Sequence, residues 1–151
     1  VVTIWGMEST FGQLSGKMSI IRSLSTLAYD CRRSEFFTNE LHAALRIIDR
    51  GDMSPAQMRG GWAGEIGQTQ FLASSYVKYA VDFDGNGRRD LIRSIPDVLA
   101  STANFLQRHG WRRGEPWGPG TNNFAVLKQW NRASVYQRTI AKAAAVLAGR
   151  G

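Results

Sequence analysis

The amino-acid sequence predicts a mainly α-helical fold with little or no β-sheet, and three observations carry that expectation. Apolar residues recur at helical spacing across 37–48, where Phe37, Leu41, Ala44, Leu45 and Ile48 form one stripe. Gly51, Gly110 and Gly149 each follow a helical stretch, at the place where a chain leaving a helix commonly takes positive φ. No segment shows the alternation of a β-hairpin, and no internal repeat is present.

Each element follows in order. The chain opens on the apolar run "VVTIW" with no capping residue ahead of it, so it is expected to enter midway through a helix, as a fragment or processed form would. Cys31, between Asp30 and Arg32, is expected at a helix end. Being the sole cysteine it excludes an internal disulfide, and neither His42 nor His109 is an evident partner for a catalytic thiol. Residues 34–51 form an amphipathic helix with Glu35, Glu40 and Asp49 on its polar face. Ser54 and Pro55 read as N-cap and first-turn proline of a short helix through Met58.

Gly60, Gly61, Gly64 and Gly67 then crowd the stretch "RGGWAGEIGQTQF", which calls for a loop or a close crossing of backbones. Helical pattern resumes toward Tyr79, and another helix runs from about Pro96 to His109. Residues 114–123 read as loop. Residues 124–130 and 135–148 form a last helical pair, the second capped by Ser134 and closed by Gly149.

At 151 residues and 43% hydrophobic, the chain is long enough for one domain around a single core. Its net charge of +7 points to an anionic partner: nucleic acid, a membrane surface or an acidic polymer such as a cell wall. Lysines and arginines are scattered, with no helix-turn-helix or basic stripe, which argues against nucleic acid. No run of 18 apolar residues and no opening secretory signal is present.

The stretch "DFDGNGRRDL" matches the first half of an EF-hand calcium loop. Asp82, Asp84 and Asn86 place oxygens on alternate residues, Gly87 allows the turn, and Asp90 holds the ninth place. The twelfth place is Arg93 instead of glutamate, which leaves Asp97, a few residues on, to supply the closing carboxylate. A plain Asx-Gly turn without metal fits the same residues.

Glu8 and Glu65 are the two acids set in apolar or glycine-rich sequence. A carboxyl group in apolar surroundings tends to keep its proton and can donate it, as a glycosidic general acid must. A helix-capping or arginine-paired acid would suit the spacing of Glu8 equally well. Trp5, Phe11, Trp62, Trp130 and Tyr136, interleaved with Gln68, Gln70, Asn122, Asn123 and Asn131, are what a sugar groove uses, although aromatics at helical spacing also build cores.

Five stretches in order, "ESTFG" at Glu8, "GWAGEIGQTQFLASSY", "YAVDFDGNGRRDL", "VLASTANFLQRHGW" and "VLKQWNRASVY", resemble the successive motifs of the membrane-bound lytic transglycosylase B family. The resemblance covers nearly the whole chain and implies a single lysozyme-like helical domain, lacking here further helices upstream that help build the family's cleft. It implies that Glu8 is the one catalytic residue, acting on the MurNAc-GlcNAc bond of peptidoglycan first as acid and then as base. The C6 hydroxyl of the sugar then closes on C1 to leave a 1,6-anhydromuramyl end. It further implies substrate contacts at Gln70, Asn131, Tyr136, Trp130 and Phe11, and a structural calcium ion on Asp82, Asp84, Asn86 and the backbone of Arg88, with Asp97 in reserve. Its implied setting is the periplasm, as a monomer, with any membrane contact running through a lipid anchor outside this chain. Two departures stand out: Trp130 replaces a frequent tyrosine, and Gly61 replaces a serine that in some relatives contacts the acid. Two other readings remain open. A hydrolytic muramidase would need a water activated by Glu65, and a binding module would have no need of Glu8.

Overall fold

Seven α-helices and one two-stranded antiparallel ladder make up the described residues, 1–149, of the computed structural model. In chain order they are α1 (Val2–Ser9), β1 (Met18–Ser19), α2 (Ile20–Tyr29), α3 (Ser34–Asp49), β2 (Arg59–Gly60), α4 (Ala73–Tyr79), α5 (Ile95–Arg108), α6 (Asn122–Trp130) and α7 (Ser134–Leu147). The ladder pairs Met18 with Gly60 and Ser19 with Arg59, so the mainly α expectation holds with a minimal sheet. None of the helices is long and apolar enough to cross a membrane.

Local chemistry explains most boundaries. Ser19, Ser94 and Thr121 each accept a hydrogen bond from the backbone N–H three residues on, at 3.4, 3.3 and 3.2 Å, and so start α2, α5 and α6. Pro96 lies in the first turn of α5, and Gly110 and Gly149 follow α5 and α7 with φ of 99° and 67°. The expected helix end near Cys31 is the end of α2, and the thiol is exposed in the turn that follows. Helix α2 itself went unread from the sequence.

Three local readings are corrected. Ser54 and Pro55 open a single hydrogen-bonded turn, with Ser54 accepting from both Gln57 and Met58, and the chain enters β2 before a helix can propagate. Helix α7 is not capped by Ser134, which is its first helical residue. Its N-cap is Ala133, without a side-chain bond, and the Gln137 amide instead donates to the Asn131 carbonyl at 2.8 Å. Glu40 does not lie on a polar face. It is 4% exposed, and its carboxylate accepts from the Ser74 N–H at 2.8 Å and the Ser74 hydroxyl at 2.6 Å. Glu40 thus caps α4 from a neighbouring helix, a charge-assisted bond at the positive end of the α4 dipole.

The buried stripe of α3 is accordingly Phe37, Glu40, Ala43, Ala44 and Ile47, rotated from the expected one, with Leu45 exposed. Around it a core forms from Ile4, Ile20, Leu24, Met58, Ile66, Phe71, Tyr76, Leu91 and Val98. Each such side chain contributes about 1.5–3 kcal/mol on burial. The glycine-rich stretch is the close crossing its composition calls for: a Cβ on Gly67, whose φ is 72°, would lie 2.2 Å from the Leu91 carbonyl oxygen.

Candidate active site

The sequence "ESTFG" folds as the abrupt end of α1. The buried Ser9 hydroxyl accepts from the Gly12 N–H at 2.9 Å, and the Ser9 carbonyl accepts from Leu14 at 2.8 Å. Thr10, Phe11 and Gly12 follow in succession at φ of 51°, 56° and 88°. Among the described residues, the only non-glycine residues at positive φ are Thr10, Phe11 and Gln70, and all three belong to the motif loops. Such backbone costs of order 1–3 kcal/mol per residue and persists only where its surroundings over-determine it.

Those surroundings are visible. The Phe11 ring folds over Gly6, where a Cβ would lie 2.7 Å from its Cζ, and meets Trp5 edge-on at 5.3 Å. The Trp5 indole N–H donates to Gln68 Oε1 at 2.7 Å, and Gln68 Nε2 donates to the Ile92 carbonyl at 2.8 Å. Gln68 therefore ties α1, through the glycine-rich loop, to the segment that precedes α5.

Glu8, half-buried in the last turn of α1, receives two donors on one oxygen. The Tyr136 hydroxyl donates to Oε1 at 2.5 Å and the Trp130 indole N–H to the same atom at 3.3 Å. Trp130 ends α6 and Tyr136 lies in the first turn of α7, so the bend between those helices presents both. Phe71 and Phe105 pack edge-on against the Trp130 ring at 5.3 and 4.9 Å and hold its plane. Burial, followed by the Glu8 carboxylate it bonds, holds the Tyr136 phenol well above the usual tyrosine range, so it remains a donor. Glu8 takes part in no ion pair among the described residues.

The remaining sequence candidates divide. Asn131, next to Trp130, turns its Oδ1 to the Ala133 N–H at 2.9 Å and its carbonyl to Gln137. Gln70 donates its amide to the Ser15 and Gly67 carbonyls at 3.2 and 2.8 Å, which pins the loop after α1 to the glycine-rich loop. A Cβ added at Gly61 would lie 2.9 Å from Gln70 Oε1 and 2.2 Å from Glu65 Oε2. The Glu65 carboxylate thus fills the space that a side chain at 61 would need, and it accepts from the Ala63 N–H at 3.1 Å. No hydrogen bond joins Glu65 or Gln70 to Glu8 among the described residues. Asn122 and Asn123 serve backbone carbonyls, and Asn123, fully buried, holds both the N–H and the carbonyl of Arg112.

The acidic loop is built around Asp97. This fully buried residue of α5 accepts from the Phe83 N–H at 2.8 Å and the Asp90 N–H at 2.9 Å, closing the two ends of the loop. One carboxylate oxygen each from Asp82, Asp84 and Asp97 lies within 4.8 Å of the others. Burial raises the Asp82 carboxyl, but the N–H groups of Gly87, Gly85 and Asn86, with a hydrogen bond to the Asp84 side chain, outweigh it and hold the group below its usual range. Three anionic oxygens gathered so closely repel one another unless a cation lies among them, and an all-oxygen set suits a hard divalent ion. Asp90 is turned elsewhere, its Oδ1 accepting from the Ile92 and Arg93 N–H groups at 2.9 Å. Asn86 Oδ1 accepts from the Arg88 N–H at 2.9 Å.

The Ser9 hydroxyl escaped the sequence reading, and Gln68, read there as an amide of a sugar groove, is spent on positioning α1. The signal for Gln68 was its place among the glycines, where an amide has backbone to bond on every side.

Comparison with known proteins completes the picture. Residues 1–120 match the family described as the transglycosylase SLT domain. The chain is 38% identical over 116 residues to the membrane-bound lytic murein transglycosylase B of Escherichia coli K12, which covers 76% of this chain and 32% of that protein. The crystal structure of SltB3 from Pseudomonas aeruginosa in complex with NAG-anhNAM-pentapeptide superposes with a TM-score of 0.87 at 34% identity, covering 93% of this chain and 53% of that one. The Escherichia coli lytic transglycosylase SLT35 in complex with calcium gives 0.86 at 26% identity, covering 99% and 65%. This chain therefore spans about a third to two thirds of the length of these relatives. With four fifths of its length matched by that family model, the chain belongs to the transglycosylase SLT domain family.

Proposed function

We propose that this chain is a single catalytic domain that cleaves the MurNAc-GlcNAc β-1,4 bond of peptidoglycan glycan strands without water, leaving a 1,6-anhydromuramyl end. The observation that carries the proposal is the asymmetric environment of Glu8. Both protein donors, Tyr136 and Trp130, converge on Oε1, while Oε2 receives none among the described residues. The acidic proton then belongs on Oε2. From there it passes to the glycosidic oxygen as the bond to C1 breaks, and the negative charge left on Glu8 is met by the two donors already in place. The same carboxylate next takes the proton of the C6 hydroxyl as that oxygen closes on C1. The hydroxyl is held within the substrate itself, so ring closure gains the advantage of an intramolecular reaction and needs no second carboxylate.

Asn131, Gln70 through its Oε1, and the exposed Phe11 ring are proposed to seat the sugars. A calcium ion would be held by Asp82, Asp84 and Asp97, with Asn86 and the Arg88 carbonyl in support. It would fix the loop that follows α4 and take no part in the chemistry. The proposed setting is the periplasm, where the glycan strands lie and where the net charge of +7 favours an anionic wall.

The test is mass spectrometry of soluble products released from purified peptidoglycan by the chain and by its Glu8→Gln variant. Anhydro-ended muropeptides that disappear in the variant are expected. Reducing-ended products would mean a hydrolase, and identical products from both proteins would remove Glu8 from the reaction.

A further inference from the structure

We propose that Gln68 is a positioning residue of the reaction, a buried amide that clamps the chain on both sides of Glu8 and so fixes where the acid stands. This role rests on the reading of Glu8 above and adds to it what holds the helix that carries the acid.

Helix α1 is eight residues long and has no side-chain cap at its start, and a helix that short is marginal unless its surroundings fix it. Among the described residues, only three side-chain hydrogen bonds join α1 to other elements. Two are the donors from Trp130 and Tyr136 to Glu8 itself, and the third runs from the Trp5 indole to Gln68. Two bonds that meet on one oxygen fix a point and leave the group behind it free to pivot. The direction of Oε2, the oxygen assigned the acidic proton, therefore depends on how α1 is held.

Gln68 holds the chain before and after Glu8. Trp5 precedes the acid by three residues, one turn back on the same face of α1. Gly12 ends the strained succession that follows the acid, and a Cβ there would lie 2.3 Å from Gln68 Oε1, so the elbow rests directly against the amide. The Ser9 hydroxyl joins the two points, accepting from the Gly12 N–H at 2.9 Å and donating to the Trp5 carbonyl at 3.3 Å. Positive φ at Thr10 and Phe11 persists because both ends of the turn are held in this way.

Gln68 is itself fixed. It is 6% exposed, its backbone N–H donates to the Leu91 carbonyl at 2.9 Å, and its Nε2 donates to the Ile92 carbonyl at 2.8 Å. That segment is rigid in turn, since Gly67 presses on the same Leu91 carbonyl and Asp90 accepts from the Ile92 N–H at 2.9 Å. With the donor end of the amide spent on a carbonyl, the acceptor end has one orientation left, and it meets the Trp5 N–H.

The test compares Gln68→Met, which keeps the length of the side chain and removes both ends of the amide, with Trp5→Phe, which breaks the same bond from the α1 side. Each should lower kcat for anhydro-muropeptide release on the order of tenfold to a hundredfold with KM little changed. The two together should cost no more than the larger alone, since they remove one bond between them. Position is read separately from turnover. The Trp130 indole N–H bonds Glu8 Oε1, so its proton resonance, assigned with Trp130→Phe, reports where the carboxylate stands. Both variants should shift that resonance while the protein remains folded, well below the Tm of each. A Gln68→Met protein that turns over at the parent rate, or a Trp130 signal that neither variant moves, would overturn the proposal. A fall in kcat that merely tracks the fraction unfolded would do the same. Should Gln68→Met fail to fold, Trp5→Phe decides by the same two readings. A parent protein that releases no anhydro products would end the catalytic reading and leave the indole signal to decide the clamp.

Discussion

The Tyr136 hydroxyl donates to Glu8 Oε1 at 2.5 Å from a position 128 residues away in sequence. A neutral donor so placed orients the carboxylate and receives charge as the acid gives up its proton. Removing one such donor typically costs about 10²–10³-fold in rate. Tyr136→Phe should therefore lower kcat for anhydro-muropeptide release by roughly 10²-fold with little change in KM. Trp130→Phe, which loses a longer bond of 3.3 Å, should cost less. A Tyr136→Phe variant that turns over at the parent rate would dismiss the phenol from the chemistry.

Two of the four tyrosines should resist alkaline ionisation. Burial raises both Tyr76 and Tyr136 well above the ordinary range, with Asp52 adding to the shift at Tyr76 and Glu8 at Tyr136. Their folded pKa values exceed the unfolded value of about 10, so the stability they contribute is fully present below that pH. It declines above it, as the unfolded chain begins to release protons that the native state keeps. Ultraviolet titration should show these two phenols ionising only with unfolding, and Tyr136→Phe should soften the loss of stability above about pH 10. Ionisation of all four in a still folded protein would contradict this.

Calcium should stabilise the fold through the loop closed by Asp97. At a calcium concentration a hundredfold above Kd the linkage contributes about 2.7 kcal/mol, worth roughly 5–10 °C in Tm for a chain of this size. Calorimetric scans with and without the ion would read it directly. Asp84→Ala should abolish the increment, whereas Asp97→Asn should also lower Tm without calcium, because Asp97 bonds the Phe83 and Asp90 N–H groups. An unchanged Tm on adding calcium would remove the ion from the account.

Gly61 and Glu65 should be coupled. A side chain at 61 meets Glu65 Oε2 at 2.2 Å, so Gly61→Ser should destabilise the protein by about 1–3 kcal/mol. In a Glu65→Ala background the nearer obstacle is gone and Gln70 Oε1 at 2.9 Å remains, so the cost should fall. A double-mutant cycle by urea unfolding measures the coupling, and additive effects would show that the two positions do not share that space.

Local chemistry decided much of this protein, and the sequence reports it faithfully. Helix periodicity and terminating glycines placed α3, α5 and α7 to within a residue or two, and "DFDGNG" announced its turn, because these features depend on side chains and backbone groups only a few residues apart. The embedded position of Glu8 made it the candidate acid before any geometry was known. What the sequence left open is what depends on how helices pack. The stripe through Phe37 and Leu41 and the one through Phe37, Glu40 and Ala44 both satisfy a 3.6-residue period. Only the approach of Ser74 at the start of α4 selects the second and buries a glutamate to cap a neighbouring helix. In the same way Asn123 and Gln68 read as sugar-binding amides until the fold surrounds them with carbonyls, and no local pattern announces that α6 and α7 bring Trp130 and Tyr136 onto Glu8 Oε1. Hydrogen bonds spanning more than a hundred residues leave no local pattern, since their geometry is set by the packing of α1, α6 and α7 and not by any segment alone.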